Sequence, residues 1–380
     1  MKIVIAIDSF KGSLSSREAA FAIRDAAYEV FERPEVLTVP IADGGEGTAR
    51  ALVEGLSGKM RRLTVTGPLG ESVSSEYGMI GSVAVIEMSE AAGITLVPPE
   101  KRDPMKTTTY GVGELIVHAM ESGCRDFIIG IGGSATNDGG AGMLEALGFE
   151  LLNKDGGKIE RGCRGLSELV EIKTDRKHPL LSECNFRVAS DVTNPLLGER
   201  GCSRIFGPQK GADEASVVLM DEYLTSYAKA VRKILPYADE NAPGAGAAGG
   251  LGFALLAFLS AKLERGIELV LKAARLKEKL VGADLLITGE GRLDSQTVMG
   301  KAPVGVAEVA KEMGIPVIAF AGAVSEDAKI CNSHGIDAFF PITRRICSLD
   351  EAMDKENAYK NMKDTAKQVF LLMRAIKGSL

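Results

Sequence analysis

Closely spaced cysteine, paired histidine and concentrated positive charge are scarce in this chain, and each scarcity removes a class of function. The six cysteines, Cys124, Cys163, Cys184, Cys202, Cys331 and Cys347, include no C-x-x-C spacing. Neither a zinc site nor a disulfide framework is therefore expected, and a reducing, cytoplasmic setting is the simplest reading. The three histidines, His118, His178 and His334, fall in a helical run, before Pro179 and in an Asn-Ser-His-Gly turn. None accompanies a serine in a nucleophile elbow, which argues against a Ser-His-Asp hydrolase. Lys and Arg total 45 against 51 Asp and Glu, for a net charge of −6. Nucleic acids and anionic membranes are bound through clustered cations, so neither is expected as a partner. The pairs Arg61-Arg62 and Arg344-Arg345 are too short to change that. Also missing are the G-x-x-x-x-G-K-[ST] loop of P-loop proteins and the loop set of protein kinases. The first apolar run, Ile3 to Ile7, is too short before Asp8 for a signal peptide or a membrane span, and it reads as a strand.

What is present is a globular composition, 45% hydrophobic and 25% charged over 380 residues, which is length enough for two domains. Ile3–Ile7 is a continuous apolar run, as in a parallel strand buried on both faces. Ser15 and Glu18 then fit a capping box for a helix with an apolar stripe at Ala19, Ala20, Ile23, Ala26, Ala27 and Val30. A second strand, Glu35 to Ile41, and a helix, Thr48 to Leu56, follow. From Leu63 the texture turns to Thr/Val/Ser-rich hairpin strands over 63–70, 76–80 and 83–88. Helices are expected over 110–122, 143–147, 217–235 and 253–263, with strands over 127–131, 149–152 and 186–189. The α/β alternation returns with Leu285-Leu286-Ile287, Val317–Phe320 and Ala338–Phe340, and ends in an amphipathic helix over 358–373. The expected fold is α/β: a discontinuous Rossmann-like parallel-sheet domain over 1–62 and 283–380, and a large inserted mixed α/β domain over 63–282. A ligand cleft is expected between them, at strand C-termini.

Four glycine-rich loops suggest a site. Phe127–Ile131 empties into Gly132-Gly133-Ser134-Ala135-Thr136-Asn137-Asp138-Gly139-Gly140, where Asn137 or Asp138 can cap the next helix and backbone N–H groups can meet an anion. The others are 43–48, 244–252 and 288–294, the last read as a loop after Leu285-Leu286-Ile287. Gly130-x-Gly132-x-x-Ala135 also matches a dinucleotide-loop pattern, which makes an NAD-dependent dehydrogenase the rival enzyme class. A non-catalytic regulator that binds the same small molecules is the other rival. Asp8, Asp43 and Asp191 each follow an apolar run and precede a turn. One such Asp is commonly a cap. Three of them, with Lys11, Glu290, Arg292 and Asp294, suit a cation-and-phosphate site for phosphoryl transfer.

Asp8-Ser9-Phe10-Lys11-Gly12-Ser13, Asp43-Gly44-Gly45-Glu46-Gly47-Thr48, the loop at 130–140, Asp191-Val192-Thr193-Asn194-Pro195-Leu196, Phe206-Gly207-Pro208-Gln209-Lys210-Gly211-Ala212, the loop at 244–252 and Thr288–Thr297 closely resemble the type-1 glycerate kinase family. They occur in family order across most of the chain. The resemblance implies two α/β domains with the site between them. It also implies an ATP-dependent kinase of D-glycerate in glycerate, glyoxylate or aldarate breakdown. For bacterial members it favours the 2-hydroxyl and 2-phosphoglycerate, although 3-phosphoglycerate is left open, because the choice turns on sub-ångström positioning.

Residue chemistry then suggests roles. Asp191 is the base or orienter of the glycerate hydroxyl, and Lys11 and Arg292 neutralise the transferring phosphate or the substrate carboxylate. Asp43, Glu46 and Glu290 are candidates for Mg²⁺ or its waters. Asp8, Ser9, Gly132, Gly133, Ser134, Asn137, Asp138, Gly246, Gly249, Gly250 and Asp294 are expected to contact substrate or phosphate. Which glycine loop takes ATP and which takes glycerate stays open. A homodimer is compatible with the sequence.

Overall fold

The computed structural model describes residues 1–42 and 47–377. In chain order the strands are β1 (Lys2–Ile7), β2 (Glu35–Pro40), β3 (Lys59–Thr66), β4 (Ser72–Ile80), β5 (Val83–Glu87), β6 (Asp126–Gly130) and β7 (Glu150–Leu152). They continue with β8 (Glu171–Lys173), β9 (Asn185–Ala189), β10 (Lys262–Glu264), β11 (Leu285–Leu293), β12 (Val317–Val324) and β13 (Ala338–Pro341). The described residues form two compact units, one of residues 1–42, 54–56 and 267–377, the other of 47–53 and 57–266.

The first unit holds a five-stranded sheet ordered β13-β12-β11-β1-β2, parallel throughout. Counted along the unit from its other edge, this is the 2-1-3-4-5 order of doubly wound sheets, whose switch point lies between β1 and β11. Ile3, Val4, Ile5, Ala6 and Ile7 are all fully buried, as a strand covered on both faces requires. Ile3, Ile5 and Ile7 join one core cluster with the helices Ser16–Val30 and Lys355–Lys377. The first of these helices starts with the capping box of Ser15 and Glu18.

The second unit holds a six-stranded mixed sheet, β10-β9-β6-β5-β4-β3. The pairs from β10 to β5 are parallel and those from β5 to β3 antiparallel. A small antiparallel pair, β7 with β8, stands apart. Its core gathers Tyr77, Phe127, Tyr227 and Phe253 with the helices Tyr110–Glu121, Glu214–Ile234 and Ala247–Leu259.

Two expectations change. The helix placed over 253–263 ends at Leu259, where Ser260 turns left-handed with φ of 50°, and Lys262–Glu264 pairs as β10 with β9. The run 289–293, read as a loop, continues β11, with Glu290 opposite Ala321 and Arg292 opposite Ala323 on β12. Glycine is a weak strand former, and it is used here for closeness: a Cβ on Gly289 would lie 1.9 Å from the Phe320 carbonyl oxygen.

Candidate active site

In the first unit, β1 and β11 deliver charged residues to their carboxyl ends. A cleft of about 690 Å³ opens there, lined by Asp8, Ser9 and Lys11 after β1 and by Glu290, Arg292 and Asp294 on and after β11. Ligands of open parallel sheets sit at this place. The lining also includes the apolar side chains of Ile342, Leu349, Ala352 and Met353, with Thr343, Ser348 and Asn361 among them.

The charges interlock. Lys301, which precedes the helix Ala302–Glu312, sits 3.8 Å from the Glu290 carboxylate and 3.6 Å from that of Asp294. Arg292 lies 3.5 Å from Asp294 and is well exposed. Asp294 caps the turn Ser295–Val298 by accepting from the Gln296 N–H, and Thr297 Oγ1 donates to Glu290 at 2.7 Å. The Ser9 N–H donates to Asp8 Oδ1 at 2.6 Å. Burial pushes the Glu290 carboxyl up to about 7, reinforced by the negative charges of Asp8 and Asp294 and opposed by Thr297 and Lys301.

That position makes a stability prediction with a definite sign. Between its ordinary value of 4.5 and about 7, Glu290 keeps a proton in the folded chain that the unfolded chain has released. Its contribution is therefore fully present at low pH and lost as pH rises through 7. A Glu290→Gln variant lacks this loss, so its melting temperature relative to wild type should climb between pH 5 and pH 8, by the equivalent of at most about 3 kcal/mol. A difference that does not vary with pH would contradict this account of Glu290.

In the second unit, the loop after β6 has one face for solvent and one for the core. Gly132 and Gly133 are exposed, and a Cβ on Gly132 would meet no atom within 4 Å. Behind them the loop is tied down: the Ile94 N–H donates to Gly133 O, the Ala135 N–H to Ala92 O, and Thr107 Oγ1 to Ala135 O. Ser134 Oγ accepts from Lys210 Nζ at 2.8 Å.

Asn137 and Asp138, expected to touch ligand, are fully buried. The Asp138 carboxylate accepts from the Thr109 N–H and hydroxyl and from the Gly140 and Gly142 N–H groups. It therefore braces the start of the helix Ala141–Ala146, the capping role also considered for it. Asn137 Nδ2 donates to Ser203 Oγ, again inside the protein.

Gly246, Gly249 and Gly250, expected to cradle anions, are also buried and packed on backbone. A Cβ on Gly246 would lie 2.2 Å from Pro195 O, and one on Gly249 2.0 Å from Thr136 O. The Gly246 N–H is already used on Asn194 O. These glycines let the segment approach two other loops closely.

Asp191 follows β9 and is exposed, and its Oδ1 accepts from the Gly266 N–H at a long 3.4 Å. Asp43 and Glu46 lie outside the described residues. Among the described residues no three or more His, Cys, Asp or Glu side chains gather in a metal-holding group.

Two lysines stand in these sites without having been singled out by sequence reasoning. Lys301 has no residue-type signal beyond following Gly300 ahead of a Pro-containing helix start. Lys210 reads as a surface lysine in a turn, yet it is 3% exposed. Its position inside the motif at 206–212 was the only pointer to it.

A doubly wound sheet with a charged cleft at its switch point, in a chain that also presents an exposed glycine loop, defines an α/β enzyme for small anionic substrates. More narrowly, the chain belongs to the glycerate kinase family, whose sequence model matches residues 3–374, and glycerate kinase is accordingly its activity. It is 51% identical to glycerate 2-kinase of Escherichia coli K12 over 95% of each chain. To glycerate kinase of Bacillus subtilis 168 it is 47% identical over 99% of each. A crystal structure from Salmonella typhimurium LT2, described as a candidate glycerate kinase 2, superposes with a TM-score of 0.92 at 47% identity, covering 100% of this chain and 99% of that one. No helix among the described residues is long and apolar enough to cross a membrane.

Proposed function

We propose that the chain transfers the γ-phosphoryl group of ATP, with Mg²⁺, to the 2-hydroxyl of D-glycerate, giving 2-phosphoglycerate and ADP. The observation that carries this reading is the cleft of the first unit, where Lys11, Arg292 and Lys301 stand beside Asp8, Glu290 and Asp294. At about 690 Å³ it has the size of a pocket for a nucleotide-sized ligand, and its apolar lining residues suit a base while its cations suit phosphates. The E. coli relative, named a glycerate 2-kinase, supports the 2-hydroxyl as acceptor.

The roles follow from residue chemistry. Lys11 and Arg292 offset charge on the transferring phosphate or the substrate carboxylate. Asp191 orients the attacking hydroxyl and takes up its proton. Mg²⁺ would supply charge neutralisation on the phosphates when bound, and such an ion is commonly held by one or two carboxylates plus phosphates and water. Asp8 and Glu290 fit that modest demand, and Asp43 and Glu46 belong to the same reading. A cytoplasmic location, where ATP is supplied, goes with it.

The acceptor atom is tested by phosphorus NMR of the product formed from ATP and D-glycerate. A 2-phosphate couples to the single proton on its carbon and gives a doublet, whereas a 3-phosphate couples to two protons and gives a triplet. A doublet is the expected result, and a triplet would overturn the assignment to the 2-hydroxyl.

A further inference from the structure

Lys210 is 3% exposed, yet among the described residues no carboxylate lies within ion-pair distance of it. Its Nζ donates to Ser134 Oγ at 2.8 Å and to Thr136 O at 2.6 Å. A buried ammonium is costly unless something offsets its charge. The loop it supports turns Gly132 and Gly133 to solvent, and a Cβ on Gly132 would find only open space. Ser134 is half-buried between the two, and its own proton has no acceptor among the described residues. Because Ser134 Oγ receives a hydrogen bond from the inside, its O–H is left to donate elsewhere.

We infer that Lys210 is a positioning residue which holds the Ser134 hydroxyl as a donor to an oxyanion, in a subsite completed by the exposed backbone of Gly132 and Gly133. The inference rests on the proposed phosphoryl transfer and deepens it, since the anion is an ATP phosphate or the glycerate carboxylate. Lys210 acts through Ser134: its charge polarises the hydroxyl, and its rigid placement removes the rotor freedom a surface serine would keep. Burial lowers the Lys210 ammonium to about 8. The titratable groups facing it are the Cys202 thiol, on the helix Cys202–Phe206, and the Asp138 carboxyl of the same loop, whose negative charge raises it. Burial keeps the Cys202 thiol protonated.

Calorimetric affinities for Mg²⁺–ATP and for D-glycerate, measured separately without turnover, test the inference. Ser134→Ala and Lys210→Met should each weaken the same one of the two ligands by about 10-fold or more, the size of a hydrogen bond to a charged group, and leave the other within about 2-fold. The ligand that responds identifies the anion. The double variant should bind no more weakly than Lys210→Met alone, as expected when one residue acts through the other. Wild-type affinity for that ligand should also fall as pH rises through about 8, and Ser134→Ala should lose this dependence. The pH comparison needs no substitution at the buried lysine, so it decides the matter even if Lys210→Met does not fold. Unchanged affinities in Ser134→Ala, fully additive effects, or a pH dependence that survives in Ser134→Ala would each overturn the inference. Because these are binding measurements, they can fail while glycerate-dependent ADP release holds, and the reverse also applies.

Discussion

A Gly132→Val variant is expected to lose turnover entirely while melting within a few degrees of wild type. Gly132 is not among the residues with positive φ, so the backbone tolerates a side chain there. No atom lies within 4 Å of the new Cβ, so the packing tolerates it as well. A valine in that open space would occupy the volume in which an anion approaches the exposed loop backbone. Gly249→Val is the informative contrast. Gly249 has φ of +66° and its Cβ would lie 2.0 Å from Thr136 O, so that variant should fail through loss of fold. Wild-type turnover in Gly132→Val would show that the loop is only a turn.

Asp191→Asn should lower kcat by about 10²–10⁴, the usual range for a general base, with much smaller changes in KM for glycerate and ATP. In a loose phosphoryl-transfer transition state the hydroxyl loses its proton late, so the acid first orients it and then accepts the proton. Asparagine can orient but does not accept. The Asp191 Oδ1 accepts from the Gly266 N–H at 3.4 Å, at the carboxyl end of β9. Were Asp191 a Mg²⁺ ligand instead, raising Mg²⁺ should restore much of the rate. Were it a turn cap, kcat would hold and stability would fall by roughly 1 kcal/mol. Measuring kcat, Mg²⁺ dependence and melting temperature on the one variant separates the three.

Signals that are local in sequence were legible in advance. Ile3–Ile7 declared a doubly buried strand because every residue in it is apolar, and Ser15 with Glu18 declared a helix start because both halves of the capping box lie within four positions. The α/β class followed from such units, and the family from motifs in order along the chain. What stayed hidden depends on partners distant in sequence. Glu290 and Arg292 are strand residues because β12 pairs alongside them, which glycine-rich local chemistry argues against. Asp138 was expected both as a cap and as a ligand contact, because a buried aspartate and an exposed one read alike; the local Gly140 and Gly142 N–H groups fit the cap, and Thr109, 29 positions earlier, encloses the carboxylate from the other side. Gly249 looked like a cradle because glycine signals closeness without naming the neighbour, which is the backbone of Thr136. Lys210 reaches Ser134 across 76 positions, and lysine is seldom buried.

The most direct test of the account is ADP release by the wild-type enzyme supplied with ATP, Mg²⁺ and either D-glycerate or glycerol. A site with several fixed cations should require a carboxylate and leave those cations unpaired without one. The account predicts one ADP per D-glycerate consumed, none with glycerol, and none when Mg²⁺ is chelated. Equal turnover of glycerol, or glycerate consumed with no ADP formed, would contradict it.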